Sequence, residues 1–353
     1  MQMIAALPLA LGLLQATPQE PTPTKAPIKI FVLAGQSNME GKAKVSLLRY
    51  QATESKLAPR FAHLVDGDGW VERDDVAIRF LDRQGPLTVG YGSTGCIGPE
   101  LEFGRVVGDH FEEPVLLVKA AWGGRSLYRD FRPPSAGLPG KEVLDALLAK
   151  AREKRPEATA KEIEASFGRD YQNLLSEVTA ARTRLIELVP DAATRGSEIA
   201  GLVWFQGWND MLDDAATLEY ADNLAHFIED VRRDLGTPDL PVVIGQFGVG
   251  GTETTVERHL RFKSAQASVA AREEFEGNVS LVATDVFWDK DAEAVFQRGW
   301  RENLEEWNKV GSDYPFHYLG SVKTMCNIGE SFGTAMLKLR KAAAKRAAEA
   351  SGR

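Results

Sequence analysis

Short apolar runs alternate with amphipathic stretches along most of the chain. The runs are rich in β-branched and aromatic residues, as expected of strands that are buried on both faces of a sheet. They lie at Ile28–Leu33, Pro114–Ala121, Ile199–Phe205, Pro241–Phe247 and Val279–Ala283. Helical spacing of apolar residues marks the stretches near 98–111, 171–188, 218–235, 257–274 and 331–348. This alternation predicts an α/β fold, with one doubly wound parallel sheet of five strands and helices on both faces.

Two irregular segments interrupt the predicted domain, which spans residues 28–348. The first, at about 42–98, contains the runs DDVAIRF and LTVGYG on either side of Asp82–Pro86, a pattern that predicts a hairpin above the sheet. The second, at about 125–168, is rich in Arg, Lys, Pro and Ala and predicts an inserted loop with a short helix. We expect substrate specificity to lie in these two segments.

The N-terminal region has the composition of an export signal followed by a linker. Residues 1–16, MQMIAALPLALGLLQA, form an apolar run that is too short for a membrane span and ends in a small-residue pattern. The positively charged start of a typical signal peptide is missing. Residues 17–27 contain four prolines and predict an extended linker. We therefore expect a secreted or periplasmic protein with no stable membrane span after signal removal.

Composition and charge narrow the classes of partner. The 353-residue chain has a formal net charge of −8 and a pI near 5.4, which argues against nucleic acid as a partner because phosphate binding requires clustered Lys and Arg. A neutral substrate such as a sugar fits this charge. The two cysteines, Cys96 and Cys326, could pair in an oxidising compartment or remain two small buried hydrophobic residues.

Polar residues and glycines follow three of the predicted strands. Gly35–Asn38 follows the first, Gly123 and Gly124 follow the second, and Gln206–Asp210 follows the third. Because ligands bind at the carboxyl ends of the strands in open α/β sheets, we expect these segments to lie together. Ser37 is placed there like a nucleophile, although a serine that caps a turn would give the same local pattern.

A serine nucleophile requires a base, a group that orients the base, and donors for the oxyanion. His317 is the candidate base, because it lies in a loop before the last predicted helix with Asp313 nearby. Glycine or asparagine at the strand ends could supply the donors. For the three histidines inside predicted helices we expect packing or solvated roles: these are His110, His226 and His259. His63 lies in the first irregular segment.

Taken together, these blocks resemble the SGNH hydrolase superfamily. GQSNM contains Ser37, AAWGGRSL contains the two glycines, QGWND contains Asn209, and the late Asp-His loop contains His317. Within the superfamily, GQSNMEG, AWGGRSL and WFQG are similar to the carbohydrate esterase family six and sialate O-acetylesterase group, whose members remove acetyl groups from sugars. The resemblance implies a doubly wound, flavodoxin-like α/β domain of the SGNH-hydrolase type. No G-x-S-x-G is present, so the nucleophile elbow of α/β-hydrolases is not the pattern here.

The resemblance also implies a role for each matched residue. Ser37 would be the nucleophile, and His317 would be the general base and then the acid for the leaving alcohol. The oxyanion hole would consist of the N–H of Ser37, a backbone N–H of Gly124 or its neighbour Gly123, and the side-chain N–H of Asn209. No metal ion and no cofactor is implied.

One position departs from the superfamily pattern. The orienting acid usually lies three residues before the histidine, where this chain has Tyr314. Either Asp313, one residue earlier, still reaches His317, or another acid or a carbonyl orients the imidazole. Asp210, next to Asn209, is expected to stabilise the third-strand loop rather than act in catalysis.

Several residues beside these blocks could contact substrate. Trp122 and Trp208 could form walls of an acyl pocket or stack on sugar faces, whereas Trp204, inside a strand, is expected in the core. Arg125 could contact substrate or close the second irregular segment with a carboxylate. The possible substrate-binding residues are Gln36, Trp122, Arg125, Gln206 and Trp208.

The sequence thus predicts a serine esterase that removes O-acetyl groups from carbohydrates through an acyl-enzyme. The alternative is a carbohydrate-binding or catalytically inactive module of the same fold, which only the displaced Asp313 favours. A nucleotide-binding protein is disfavoured because no glycine-rich phosphate loop follows the first strand. Xylan, sialic acid and other acetylated glycans all remain open as substrates.

Overall fold

The computed structural model describes residues 25–351; the predicted signal peptide and most of the predicted linker lie outside the described residues. Strands make up one large sheet and two small ribbons. They are β1 (Ile28–Gly35), β2 (Ala43–Lys44), β3 (Val65–Asp66), β4 (Gly69–Trp70), β5 (Arg73–Phe80), β6 (Arg83–Leu87), β7 (Cys96–Ile97), β8 (Val115–Ala121), β9 (Ser197–Phe205), β10 (Val242–Gln246) and β11 (Val279–Ala283).

Helices connect these strands and differ widely in length. They are α1 (Ser37–Glu40), α2 (Val45–Thr53), α3 (Ala58–Phe61), α4 (Glu100–Gly108), α5 (Lys141–Arg152), α6 (Ala160–Glu164), α7 (Arg169–Thr183), α8 (Leu185–Leu188), α9 (Ala192–Arg195), α10 (Trp208–Met211), α11 (Asp214–Asp234), α12 (Glu257–Ala270), α13 (Lys290–Gln297), α14 (Leu304–Val310) and α15 (Val322–Ser351). Short 3₁₀ segments are Ala62–Leu64, Pro134–Ala136, Glu273–Phe275, Thr284–Phe287 and Pro315–Gly320.

The large sheet has the order β11-β10-β9-β1-β8-β5-β6. All five predicted strands are present, and each pairs with its neighbour in parallel. The first strand lies in the middle, so that Gly35 is in register with Ala121 of β8 and with Phe205 of β9. The three polar segments that follow these strands therefore emerge side by side at one edge of the sheet.

The predicted number of strands, five, was too low, because the large sheet has seven. A hairpin does form, between β5 and β6, but β6 occupies most of the residues that were predicted as its turn. The hairpin also extends the sheet instead of lying above it. Strand β5 pairs in parallel with β8 and buries Val76, Ile78 and Phe80. This pairing satisfies the backbone groups of β8, which would otherwise be an apolar edge strand.

Helices cover both faces of the sheet. Neighbouring residues of a strand point to opposite faces, and Trp204 and Phe205 of β9 show what lies on each. The Trp204 ring packs against Phe227 of α11, with ring centroids 4.4 Å apart, whereas Phe205 packs against Phe332 of α15 at 5.4 Å. Trp204 is fully buried, as expected of a core residue.

Other details differ from the sequence-based expectation. The last helix starts at Val322 rather than near residue 331, and the segment 125–168 contains both α5 and α6 rather than one short helix. Cys96 and Cys326 are both unpaired. Within residues 25–351, no helix combines the length and the apolar character that crossing a membrane requires.

We expect Gly35→Ala to weaken the junction between β1 and the segment that follows. Gly35 has φ +153°, and a Cβ there would lie 2.1 Å from the Phe205 carbonyl oxygen, which is backbone and cannot rotate away. Gly67→Ala is the control, since φ is +53° but a Cβ would meet nothing within 4 Å. The control should lose about 1–2 kcal/mol, the cost of a left-handed residue, and Gly35→Ala about 1–3 kcal/mol more for overpacking. Urea unfolding measures both, and equal losses would contradict the clash.

Candidate active site

Ser37 lies at the start of the short helix α1, directly after the central strand β1. Its side chain is largely buried, with 6% of the residue exposed. The first N–H groups of a helix have no partner within the helix. Among the described residues the Ser37 N–H donates no hydrogen bond, so it is free to bind an anion at this position.

A buried lysine anchors the other end of this helix. Lys119 of β8 donates to the carbonyl oxygen of Glu40, the last residue of α1, at 2.7 Å. It also donates to the Tyr91 carbonyl at 2.8 Å and to Glu100 Oε2 at 2.8 Å. Burial lowers the pKa of Lys119, and the charge of Glu100 opposes that shift. All three donors of the ammonium group are thus used in fixing α1 and its surroundings.

The glycines after β8 lie against the serine. A Cβ on Gly123 would be 3.8 Å from the Ser37 Cβ and 3.0 Å from Glu40 Oε2, so this position has little room for a side chain. Gly124 has φ +73° and is exposed, and within residues 25–351 its N–H has no acceptor. The resemblance assigned the oxyanion donor to one of these two glycines. Gly123 lies against Ser37, and the Gly124 N–H is unused among the described residues.

The side chain of Gln36 joins the ends of β1 and β9. Its Oε1 accepts hydrogen bonds from the Gly207 N–H at 3.0 Å and from Gln206 Nε2 at 3.1 Å. Its Nε2 donates to Asn209 Oδ1 at 3.2 Å. Gln36 is 1% exposed, which makes these bonds inaccessible to water. Gln36 therefore positions neighbouring loops, and its burial leaves no room for the substrate contact that the sequence suggested.

Asn209 connects this network to the glycine loop. Because Gln36 engages its Oδ1, the amide Nδ2 faces the Gly124 carbonyl and donates to it at 2.9 Å. An amide nitrogen carries two hydrogens, so one remains for another acceptor. Asn209 is only partly buried, as an oxyanion donor must be.

Asp210 holds the loop that follows β8. Its carboxylate accepts from the backbone N–H of Leu127 at 2.9 Å and of Tyr128 at 2.8 Å, and from Gln206 Nε2 at 2.5 Å. Burial raises the pKa of Asp210 to about 6, against the opposing effect of these hydrogen bonds. The expectation that Asp210 stabilises a loop agrees with these contacts, but they stabilise the glycine loop as well as its own.

Asp313 does reach His317. The distance between Asp313 Oδ2 and His317 Nδ1 is 3.0 Å, within a turn that the His317 N–H closes on the Tyr314 carbonyl. Spacing of four residues places two side chains on the same side of such a turn. Burial alone would raise the pKa of Asp313, but the hydrogen bonds from His317 and from the Tyr314 N–H outweigh it and lower the pKa.

Strained backbone follows His317. Tyr318 and Leu319 have φ of +52° and +60°, which is uncommon for residues other than glycine. Burial compensates for this strain: the Tyr318 hydroxyl accepts from the Gly248 N–H at 2.9 Å and lies 2.6 Å from Thr284 Oγ1. The histidine loop is therefore fixed to the ends of β10 and β11.

The histidine loop also contacts α1. Asn38 Nδ2, next to Ser37, donates to the carbonyl of Phe316, next to His317, at 3.1 Å. Among residues 25–351, no hydrogen bond joins Ser37 Oγ to His317. Such bonds are often long without substrate and shorten in the complex. The structure thus brings the two segments together with the acid already behind the base.

The remaining predicted residues occupy the periphery. Trp122 and Trp208 are half-buried. Arg125 Nε lies 3.1 Å from Asp170 Oδ2, so this side chain does close the second irregular segment with a carboxylate, although it remains 45% exposed. Gln206 bonds to Gln36 and not to Ser37.

Sequence reasoning missed four side chains around the site: Glu40, Lys42, Ser93 and Lys119. The sequence did contain an indication for Lys119, because it is the one charged residue in an otherwise apolar strand. Beside α1, Ser93 lies 2.6 Å from Lys42 Nζ and donates to Glu40 Oε1 at 2.5 Å, which brings the first irregular segment to the rim of the site. Nothing in the sequence pattern indicated that these residues meet.

Histidines elsewhere have structural partners. His63 Nε2 lies 2.7 Å from Glu102 Oε1, and His226 Nδ1 lies 3.0 Å from the hydroxyl of the exposed Ser135. His259 packs against Phe247, and burial lowers its pKa. In the part of the chain that the structure describes, no group of His, Cys, Asp and Glu side chains has a metal-binding arrangement.

Comparison with known proteins identifies the group to which the chain is related. The family described as carbohydrate esterase, sialic acid-specific acetylesterase, matches residues 27–293. A probable carbohydrate esterase from Arabidopsis thaliana is 24% identical over 241 residues, which cover 66% of this chain and 73% of that protein.

A solved structure shows the same type of fold. A protein from Arabidopsis thaliana superimposes with a TM-score of 0.51 and 18% identity, covering 88% of this chain and 98% of its own. A carbohydrate acetylesterase from Xanthomonas citri gives a TM-score of 0.49 and 13% identity, covering 87% of this chain and 55% of its own. The fold is a mixed α/β fold with a central, mainly parallel sheet. Because the family match spans most of the sequence, the chain belongs to the carbohydrate esterase family of sialic acid-specific acetylesterases and is a carboxylic ester hydrolase.

Proposed function

We propose that the protein is a serine esterase that removes O-acetyl groups from carbohydrates through an acyl-enzyme intermediate. The observation that carries this proposal is the Asp313–His317 pair, 3.0 Å apart, on a loop bonded to the segment that contains Ser37. Family membership supports the acetylated carbohydrate as substrate. The free N–H groups of Ser37 and Gly124 support the oxyanion hole that acyl transfer requires.

The proposed reaction has two halves. Ser37 Oγ attacks the acetyl carbonyl carbon while His317 takes the hydroxyl proton, and the negative charge moves to the carbonyl oxygen. This oxygen accepts hydrogen bonds from the Ser37 and Gly124 N–H groups and from Asn209 Nδ2. The bond to the sugar oxygen then breaks, and His317 returns the proton to the leaving sugar hydroxyl. Water attacks the acetyl-serine in the same way and releases acetate.

Asp313 has a defined part in this scheme. Its carboxylate accepts from His317 Nδ1, which leaves Nε2 as the nitrogen that exchanges protons with Ser37 and the sugar. The alternative of an inactive carbohydrate-binding module depended on the displaced acid. The 3.0 Å contact supports the enzyme instead.

Ser37→Ala should lower kcat/KM by at least about 10³-fold, because no nucleophile remains. Hydrolysis of p-nitrophenyl acetate and acetate release from acetylated xylan and O-acetylated sialic acid measure the loss. Ser135→Ala is the matched control, since it removes another serine hydroxyl that contacts a histidine. Wild-type rates for Ser37→Ala would refute the mechanism, and absence of acetate release from acetylated sugars by the wild type would refute the substrate class.

Asp313→Asn should lower kcat by about 10²- to 10⁴-fold, because the amide does not hold the imidazole in the required tautomer. Glu102→Gln is the control, as Glu102 is a carboxylate bonded to a histidine outside the site.

The same variant tests the pH dependence of stability. Since folding lowers the pKa of Asp313, its charge stabilises the fold at pH values above the pKa of the unfolded state, and this contribution is lost as the pH falls through the pKa of the folded state. The difference in unfolding free energy between wild type and Asp313→Asn should therefore shrink on acidification; a difference that grows would contradict the assignment.

Asp210→Asn should lower kcat about tenfold or more by misplacing the glycine loop. An asparagine side chain has one acceptor oxygen, whereas the carboxylate receives N–H groups on both Oδ1 and Oδ2. Asp213→Asn makes the same chemical change three residues away, at a helix N-cap where asparagine is equally suitable. Steady-state kinetics on p-nitrophenyl acetate should separate the two variants, and indistinguishable kcat values would show that Asp210 does not position the donors.

A further inference from the structure

A cavity lies beside Asp313, which forms part of its lining. Its volume is about 190 Å³. Ligand pockets for drug-sized molecules are larger, about 300–1,000 Å³, so this cavity has room for one small ring rather than an oligosaccharide. Four aromatic rings form its wall: Phe296, Trp300, Trp307 and Tyr314.

Polar groups accompany these rings. Lys44, Asn308 and Ser312 also line the cavity, together with Asp313 itself. The combination of flat apolar rings with several hydrogen-bonding groups is what a sugar ring requires, because a sugar has apolar C–H faces and polar hydroxyls at its edge.

A continuous row of aromatic rings leads from this cavity to the reacting groups. The centroid distances are 6.1 Å from Trp300 to Tyr314, 5.4 Å from Tyr314 to Phe316 and 5.5 Å from Phe316 to Trp208. Tyr314 is 42% exposed, and the other three rings are half-buried, so each retains surface that a ligand can contact. We name these four residues the aromatic track.

The track ends between two groups of the site. Phe316 directly precedes His317, and Trp208 directly precedes Asn209. A glycan lying along the track would thus place one of its rings beside the base and the oxyanion donor. The track is also held in place before any ligand arrives. Arg301 lies over the Trp300 ring at 4.8 Å and donates to the Tyr314 hydroxyl at 3.3 Å, which lowers the ordering cost of binding.

We propose that the aromatic track is a glycan subsite that binds the sugar ring next to the acetylated one, with the cavity beside Asp313 receiving the far ring. The inference rests on the proposed deacetylase function and adds that the substrate is an oligosaccharide or polysaccharide. The three track residues at 300–316 lie beyond residues 27–293, which the family matches, and the match assigns them no role.

The test compares substrates of different length in the full chain. Acetylated methyl xyloside and acetylated xylotriose form one pair; O-acetylated sialic acid and O-acetylated sialyllactose form the other. The pair that the wild type cleaves faster is used, with p-nitrophenyl acetate as the reference. Trp300→Ala should lower kcat/KM on the oligosaccharide, through KM, about three- to tenfold more than on the single ring or the reference ester. Trp300→Phe, which keeps a ring, should restore part of this difference.

Phe111→Ala is the matched control for loss of a half-buried aromatic ring, because Phe111 packs against Phe31 and Lys29 at the amino end of the sheet. This variant should leave unchanged the ratio of kcat/KM on the oligosaccharide to kcat/KM on the single ring. Equal losses on all substrates with Trp300→Ala, or no loss, would overturn the subsite while the deacetylase function stands.

A binding measurement separates failure of the subsite from failure of the proposed function. Saturation-transfer NMR with unacetylated xylotriose and sialyllactose requires no turnover. Transfer to at least one of them that Trp300→Ala abolishes and Phe111→Ala keeps would support the subsite even if the wild type released no acetate. Absence of transfer from both to the wild-type protein would overturn it.

Discussion

The geometry of the site depends on one buried amide. Gln36 is the first residue after the central strand, and its side chain bonds to residues of the next loop, at Gly207 and Asn209. Parallel strands bring their ends to one edge, but they do not fix where the following loops lie. Gln36 supplies that fixed point: the same bonds orient Asn209 so that its nitrogen faces Gly124. The donors proposed for the oxyanion are therefore set in place before substrate binds, as effective electrostatic stabilisation requires.

Two buried charged groups extend this constraint to the neighbouring segments. Lys119 and Glu100 form an ion pair of 2.8 Å with almost no exposure, and Asp210 is fully buried. Burying a charge is unfavourable unless hydrogen bonds satisfy it. Here the satisfying groups are mostly backbone. Lys119 donates to the Glu40 carbonyl at the end of α1 and to the Tyr91 carbonyl, and Asp210 accepts from N–H groups of the glycine loop. Moving either segment would leave a charge without partners, so each charge holds its segment firmly.

The sequence predicted those parts of the structure that depend on local pattern. Apolar runs predicted five of the six parallel strands, and the residues that follow the strands predicted what lies next to Ser37. The predicted start of the last helix, near residue 331, was too late, because α15 begins at Val322. Gly329 and Gly333 lie within this helix. In the structure they permit close packing on α4: a Cβ on Gly329 would lie 2.2 Å from the Pro99 carbonyl. The partners of Gln36 and Lys119 were equally hidden, because they come from segments far apart in sequence.

The proposed reacting groups and the aromatic track lie in different structural surroundings. The proposed reacting groups are attached to a buried network in which Gln36, Lys119 and Asp210 each form several hydrogen bonds, so a change there alters the geometry at several residues at once. Three of the four rings of the aromatic track lie on the segment after the sheet, between α13 and α15. They contact one another, Arg301 and neighbouring rings such as Trp307. Side chains there can change with little effect on Gln36 or Asp210. The same catalytic edge could therefore serve different glycans through substitutions at Trp300 and Tyr314 that leave Asp313 in place.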